Sequence, residues 1–121
     1  TFRLWWLQTE QGSRVRMRMW MVQPDLLCRK HLMGEHVELH MLVGSLNKGK
    51  SVKGFVRGGL IEVQSVRDRH EQLASEMTRR GYNHKSPLPE FNSFIAGSVN
   101  VSDNIEELKK RCTNCKERIE A

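Results

Sequence analysis

PDLLCRKHLMGEHVELHMLV, residues 24–43, is the stretch that decides the fold. Pro24 with Asp25 beside it is a first-turn signal, and leucine, methionine and valine then recur at helical spacing to about Val43. Gly34 weakens this helix, since glycine in a helix interior costs about 1 kcal/mol relative to alanine. At about 100° per residue, Glu35 lies some 40° and Glu38 some 20° from His31, on opposite sides of it, so the three share one edge. His36 and His40 fall near the opposite edge, Leu32 and Leu39 line one flank, and Val37 and Met41 line the other. A helix packed on both flanks holds its polar edge in a cleft, where a glutamate can be tuned for proton transfer.

The rest of the chain reads as helix and loop. GSLNKGKSVKGFVRGG, residues 44–59, is rich in glycine and lysine, lacks acidic residues, and is expected to be a basic loop. A second helix follows, with Val63, Val66, His70, Leu73 and Met77 repeating at three and four, Arg79 and Arg80 suiting its C-terminal dipole and Gly81 its end. Pro87 and Pro89 bar continuation. A third helix is expected from Asp103, which caps it while Glu106 completes a capping box, and its apolar stripe is Ile105, Leu108, Cys112, Cys115 and Ile119. No alternating strand pattern of useful length occurs. The expectation is an all-α, compact single domain of about three helices, with a basic Gly/Lys-rich loop between the first two. That domain spans residues 17–121. Residues 1–16 have no sustained period and are read as an N-terminal extension, either a mis-start or a genuine arm, with Met17 the expected native start.

Size and composition agree with one small domain, since 121 residues support a single modest core. The net charge is +6, the pI is near 9.6 and aromatics are only 7% of residues, so polyanionic partners are expected, with nucleic acid ahead of membrane surfaces. Three cysteines, Cys28, Cys112 and Cys115, make an odd number without a framework spacing, which argues against a disulfide-stapled secreted domain and for a reducing, cytoplasmic location. No run approaches the ~18 apolar residues of a membrane span.

Three motifs invite specific chemistry. GSLNKGKS, residues 44–51, satisfies the G-x-x-x-x-G-K-[ST] pattern of phosphate-cradling loops, but that cradle needs a strand before it and a helix after it. A helix precedes it here and a glycine-rich segment follows, so no nucleotide cofactor is expected; Lys48, Lys50, Lys53 and Arg57 read instead as point charges for phosphates. Cys112-x-x-Cys115 is half of a zinc ribbon, and closing it would take Cys28, a histidine or a second chain. Both cysteines fall on an apolar stripe, so core packing is expected, and no metal. HVELH, residues 36–40, carries two histidines at i and i+4, but its glutamate is turned about 200° from His36, which excludes the H-E-x-x-H arrangement of zinc proteases.

HLMGEHVEL, residues 31–39, resembles the first-helix motif H-L-M-x-E-x-x-E-L of the pyrimidine dimer DNA glycosylases. RRGYNHK, residues 79–85, resembles that family's basic-Gly-aromatic-Asn segment, and with MRMWMV at residues 17–22 the resemblance covers about Met17 to Lys85. It implies a small all-α enzyme that binds ultraviolet-damaged DNA, cleaves a glycosidic bond of a pyrimidine dimer and then nicks at the abasic site. The family's nucleophile is the amino-terminal α-amine, whose pKa of ~8, against ~10.4 for lysine, leaves far more of it unprotonated near neutrality. That amine falls on Met17, the catalytic glutamate on Glu38, the helix histidine on His31 and an arginine near the N-terminus on Arg18. Here Met17 has sixteen residues ahead of it, two arginines flanking the family's glutamate are Val37 and Met41, and no aromatic follows Phe94 to match the aromatic tail of the family's phage enzyme.

The expected activity is therefore a DNA glycosylase with abasic-site lyase activity on double-stranded DNA, needing no cofactor, with Met17, Glu38 and His31 at the reacting sugar. Arg18, Lys48, Lys50, Lys53, Arg79 and Arg80 are the expected DNA contacts, with His36 and His40 as further candidates. The alternative is a non-catalytic helical nucleic-acid-binding domain that keeps the scaffold without the amine.

Overall fold

A computed structural model describes residues 17–84 and 86–121; the expectations for residues 1–16 and for Lys85 lie outside the described residues. The protein is all-α, with helices α1 (Arg29–Asn47), α2 (Lys53–Arg57), α3 (Val66–Arg79), α4 (Val101–Arg111) and α5 (Thr113–Glu120), and no strand among the described residues. Short 3-10 turns at Pro24–Leu26 and Val63–Ser65 lead into α1 and α3. No helix among the described residues is long and apolar enough to cross a membrane.

The elements differ from expectation in four places. Pro24 starts only a single turn, because Leu27 and Cys28 are extended, and α1 begins afresh at Arg29 with Cys28 as its N-cap. The basic loop contains α2, one turn of helix inside a segment whose glycines suggested none. The expected third helix is broken at Cys112, whose extended backbone (φ −140°, ψ 108°) ends α4 and caps α5. Its start also moves. Asn100, not Asp103, is the cap, its side chain accepting the Asp103 N–H at 3.0 Å.

The core is built from α1 packed on α3. Leu32, Leu39, Leu42 and Val43 of α1 and Val66, Leu73 and Met77 of α3 are buried at helical spacing, each worth about 1.5–3 kcal/mol relative to exposure. The other flank of α1 packs only in part: Met41 lies against the core, whereas Val37 is 53% exposed. Between the helices Arg69 donates to both carboxylate oxygens of Glu35, at 2.7 and 2.8 Å, in a fully buried ion pair. The C-terminus of α3 closes in a Schellman turn: Gly81 at φ +85° donates to the Thr78 carbonyl and Tyr82 to that of Met77.

Two segments without helix complete the shell. Residues 17–22 run beside 60–62, with the Met19 N–H on the Leu60 carbonyl, and bury Met17, Met19, Trp20 and Val22. Residues 87–100 return across α3's entry, where Val63 donates to the Ala96 carbonyl and Val99 to the Glu62 carboxylate. α4 is then tied to the N-terminal segment by Asn104, whose buried amide donates to the carbonyls of Met19 and Trp20.

Candidate functional site

Glu38 sits in the middle of α1, and its Oε1 accepts the backbone N–H of Arg18 at 2.9 Å. Burial, opposed by that hydrogen bond, pushes its carboxyl from 4.5 up to about 7, so it exchanges a proton near neutrality. The nitrogen of residue 17 is one residue back along the chain, at most about 3.6 Å from that of Arg18, and so within about 6.5 Å of the carboxylate. The pair of expected catalytic positions, Met17 and Glu38, is thus brought together by the contact between the N-terminal segment and α1.

The Arg18 guanidinium is held by Asn104 and Trp20. It donates to Asn104 Oδ1 at 2.8 Å and lies 4.0 Å over the Trp20 ring, and Arg111 approaches the same ring at 5.3 Å. Burial and the nearby Arg111 lower its pKa. Among the described residues its buried Nε–H has no partner. Asn104 and Arg111, both on α4, were not anticipated as part of the site. Nothing local in their sequence marks them, because they act across more than eighty residues.

His31 does not turn toward Glu38's partner. Its Nδ1 lies 3.3 Å from Cys28 Sγ and 3.4 Å from Cys115 Sγ, its ring is edge-on to Trp20, and burial lowers its pKa. Cys28 Sγ is 3.8 Å from Cys112 Sγ, so three thiols and one imidazole converge. Core packing accounts for Cys115, which is fully buried, but Cys112 is only half-buried and aims its sulfur into this cluster. The signal available in the sequence was the repeated x-x spacing of Cys28 to His31 and Cys112 to Cys115.

The polar edge read from the helix wheel is therefore divided among three partners. Glu35 goes to Arg69, His31 to the thiols and Glu38 to Arg18. On the opposite edge His36 is buried rather than poised for DNA, with Nε2 2.8 Å from His84 Nε2 and 3.1 Å from His70 Nε2. His40 faces the Ser86 carbonyl at 3.1 Å, and its ring packs against that of His36 with centroids 4.8 Å apart.

The basic residues also separate. Lys48, Lys50, Lys53 and Arg57 are exposed around α2, and the last three line a groove of about 680 Å³ together with Phe94. Arg79 is 63% exposed while hydrogen-bonded to Glu76. Arg80 is committed to the fold: it is 10% exposed, pairs with Glu76 and donates to the carbonyls of Pro24 and Leu27. That leaves Arg80 little to offer a phosphate. The phosphate-loop pattern dissolves too, since Gly44–Asn47 form the last turn of α1.

The model of a family described as pyrimidine dimer DNA glycosylase matches residues 17–90, more than half of the chain. No curated protein and no solved structure matches the chain.

Proposed function

The chain belongs to the pyrimidine dimer DNA glycosylase family, and from that premise we propose that it is a repair glycosylase with abasic-site lyase activity on damaged duplex DNA, working through an imine to the α-amine of a chain that begins at Met17. The observation that carries this reading is the Arg18 N–H to Glu38 hydrogen bond, which brings the backbone of residue 17 beside a carboxyl raised to about 7. The unprotonated amine attacks the sugar C1′ and the glycosidic bond breaks, the pyrimidine leaving with the electron pair and taking the proton that the attacking nitrogen sheds. Glu38 protonates the ring oxygen, which opens the sugar to the protonated imine. The carboxylate so formed takes a C2′ proton as the 3′ phosphate leaves.

Arg18 holds a phosphate beside the reacting sugar, and Lys48, Lys50, Lys53 and Arg79 supply sequence-independent backbone affinity. Reaching the glycosidic bond requires the nucleotide to leave the stack, which costs a few kcal/mol and least at a damaged site. Borohydride reduction during incubation with abasic-site DNA tests the imine. Protein beginning at Met17 should be trapped as a covalent adduct and the chain with residues 1–16 should not; no adduct from either form overturns the mechanism.

A second reading, a non-catalytic helical nucleic-acid-binding domain, is favoured by the sixteen residues ahead of Met17, which hold its nitrogen in a peptide bond. Duplex binding by both forms without strand cleavage by either would support it.

A further inference from the structure

We propose that Cys28, His31, Cys112 and Cys115 form a closed tetrahedral site for a zinc ion. Their four ligand atoms lie within 4.8 Å of one another. A tetrahedral zinc with Zn–S of about 2.3 Å and Zn–N of about 2.0 Å separates two sulfurs by about 3.8 Å and a sulfur from a nitrogen by about 3.5 Å. The observed separations are 3.8 Å for Cys28 to Cys112, and 3.3 and 3.4 Å for His31 Nδ1 to Cys28 and Cys115. A thiol cluster without a cation explains this less well, because a single ring nitrogen facing two sulfurs can make only one directed hydrogen bond.

The local architecture repeats. Cys28 is the N-cap of α1 with His31 at its third residue, and Cys112 is the N-cap of α5 with Cys115 at its third residue. Each helix thus presents its first turn and two ligands to one point, and the positive ends of the two helices favour thiolates there. Backbone amides supply outer bonds to sulfur, from Cys28 N–H to Cys115 Sγ at 3.3 Å and from Cys115 N–H to Cys112 Sγ at 3.4 Å. Two of the four ligands lie beyond the residues that the family model matches, so this site belongs to the chain's own C-terminal helices. Its effect is to clamp α5 to the start of α1, beside the Trp20 ring on which Arg18 rests.

Metal analysis of protein purified in reducing buffer should find one zinc per chain in this site. Cobalt put in its place should give an intense sulfur-to-metal charge-transfer band. Cys112→Ser with Cys115→Ser should abolish the band. Because that variant is also at risk of misfolding, His31→Cys serves as a second: it should keep the metal and strengthen the band. Folded wild-type protein that shows no such band, or a band that survives the double substitution, overturns the proposal.

A separate observation points to a second, nitrogen-only metal position at His36, His70 and His84. His36 Nε2 faces the Nε2 atoms of both His84 and His70, at 2.8 and 3.1 Å, yet a neutral imidazole nitrogen can satisfy only one of them. A divalent transition-metal ion satisfies all three at once. Glu71 at 3.1 Å from His70 Nδ1 is the carboxylate that such a ligand histidine characteristically donates to. Cobalt titration of the wild type should show a second equivalent without charge transfer, lost in His70→Gln with His84→Gln while the thiolate band stays. Absence of that second equivalent, or its persistence in the double variant, overturns this site and leaves the first untouched.

Discussion

Glu38 holds the backbone N–H of Arg18 at 2.9 Å while its carboxyl sits at about 7. A carboxylate this buried is tolerated because one oxygen has a fixed donor, and the donor belongs to the residue that follows the expected nucleophile.

Glu38→Gln should abolish strand cleavage while sparing duplex binding, and should change stability in a pH-dependent way. In the unfolded chain the group loses its proton near 4.5 and in the folded chain near 7, so folding binds a proton between these values. The contribution is fully present below 4.5 and is lost as pH rises through about 7. Glutamine keeps the hydrogen bond to Arg18 without ionising. The melting temperature of the variant minus that of the wild type should therefore be larger at about pH 8 than at about pH 5. An equal difference at both values would show that burial does not hold the proton on Glu38. Glu76, held at about 2 by hydrogen bonds from Arg79 and Arg80, acts in a separate window, its stabilisation being lost as pH falls below 4.5 toward 2.

Removing one member of the Glu35 and Arg69 pair strands a buried charge between α1 and α3. Arg69→Met should cost about 3–5 kcal/mol, and the double change Arg69→Met with Glu35→Leu should recover most of it. Urea denaturation of the three proteins decides this; a double variant no better than the single would make the pair itself the source of stability.

Gly34 and Gly97 should respond oppositely to alanine. A methyl group at Gly34 meets nothing within 4 Å, so Gly34→Ala should gain about 1 kcal/mol of helix stability. At Gly97, φ is +96° and the new carbon would lie 2.1 Å from the Ile61 carbonyl oxygen, so Gly97→Ala should lose at least about 3 kcal/mol. Thermal melts of both variants provide the comparison.

Adjacent arginines should separate by role. Arg79→Ala should weaken duplex binding and flatten its salt dependence with little change in melting temperature, as should alanine at Lys48 and Lys53. Arg80→Ala should mainly destabilise the protein, because the Leu27 carbonyl loses its side-chain donor and Glu76 loses a partner. Fluorescence anisotropy across a salt series, alongside melts, distinguishes them.

The helical core was legible because its information is local. Val63, Val66, His70, Leu73 and Met77 repeat with the helix, and all are buried. Glu38 was legible through the HLMGEHVEL pattern, and its partner Arg18 lies in the matching N-terminal block. What stayed hidden depends on contacts across the chain. His31 was read with the carboxylates that share its helix edge, whereas its ring meets Cys115, 84 residues away. His84, which lies in the RRGYNHK block but was given no role there, completes the cluster with His36. The break at Cys112 is invisible to periodicity, since the apolar spacing runs through it unchanged.

Asn104 donates to the carbonyls of Met19 and Trp20 across 85 and 84 residues. Closing a loop of that length costs about 4 kcal/mol of chain entropy, whereas α1 and α3 meet through much shorter loops. During synthesis the α1 and α3 scaffold can form while Asn104 is still unmade. Trp20 and Arg18 gain their backing from Asn104 only once that scaffold can exist, so this side of the candidate site is completed late in the emerging chain.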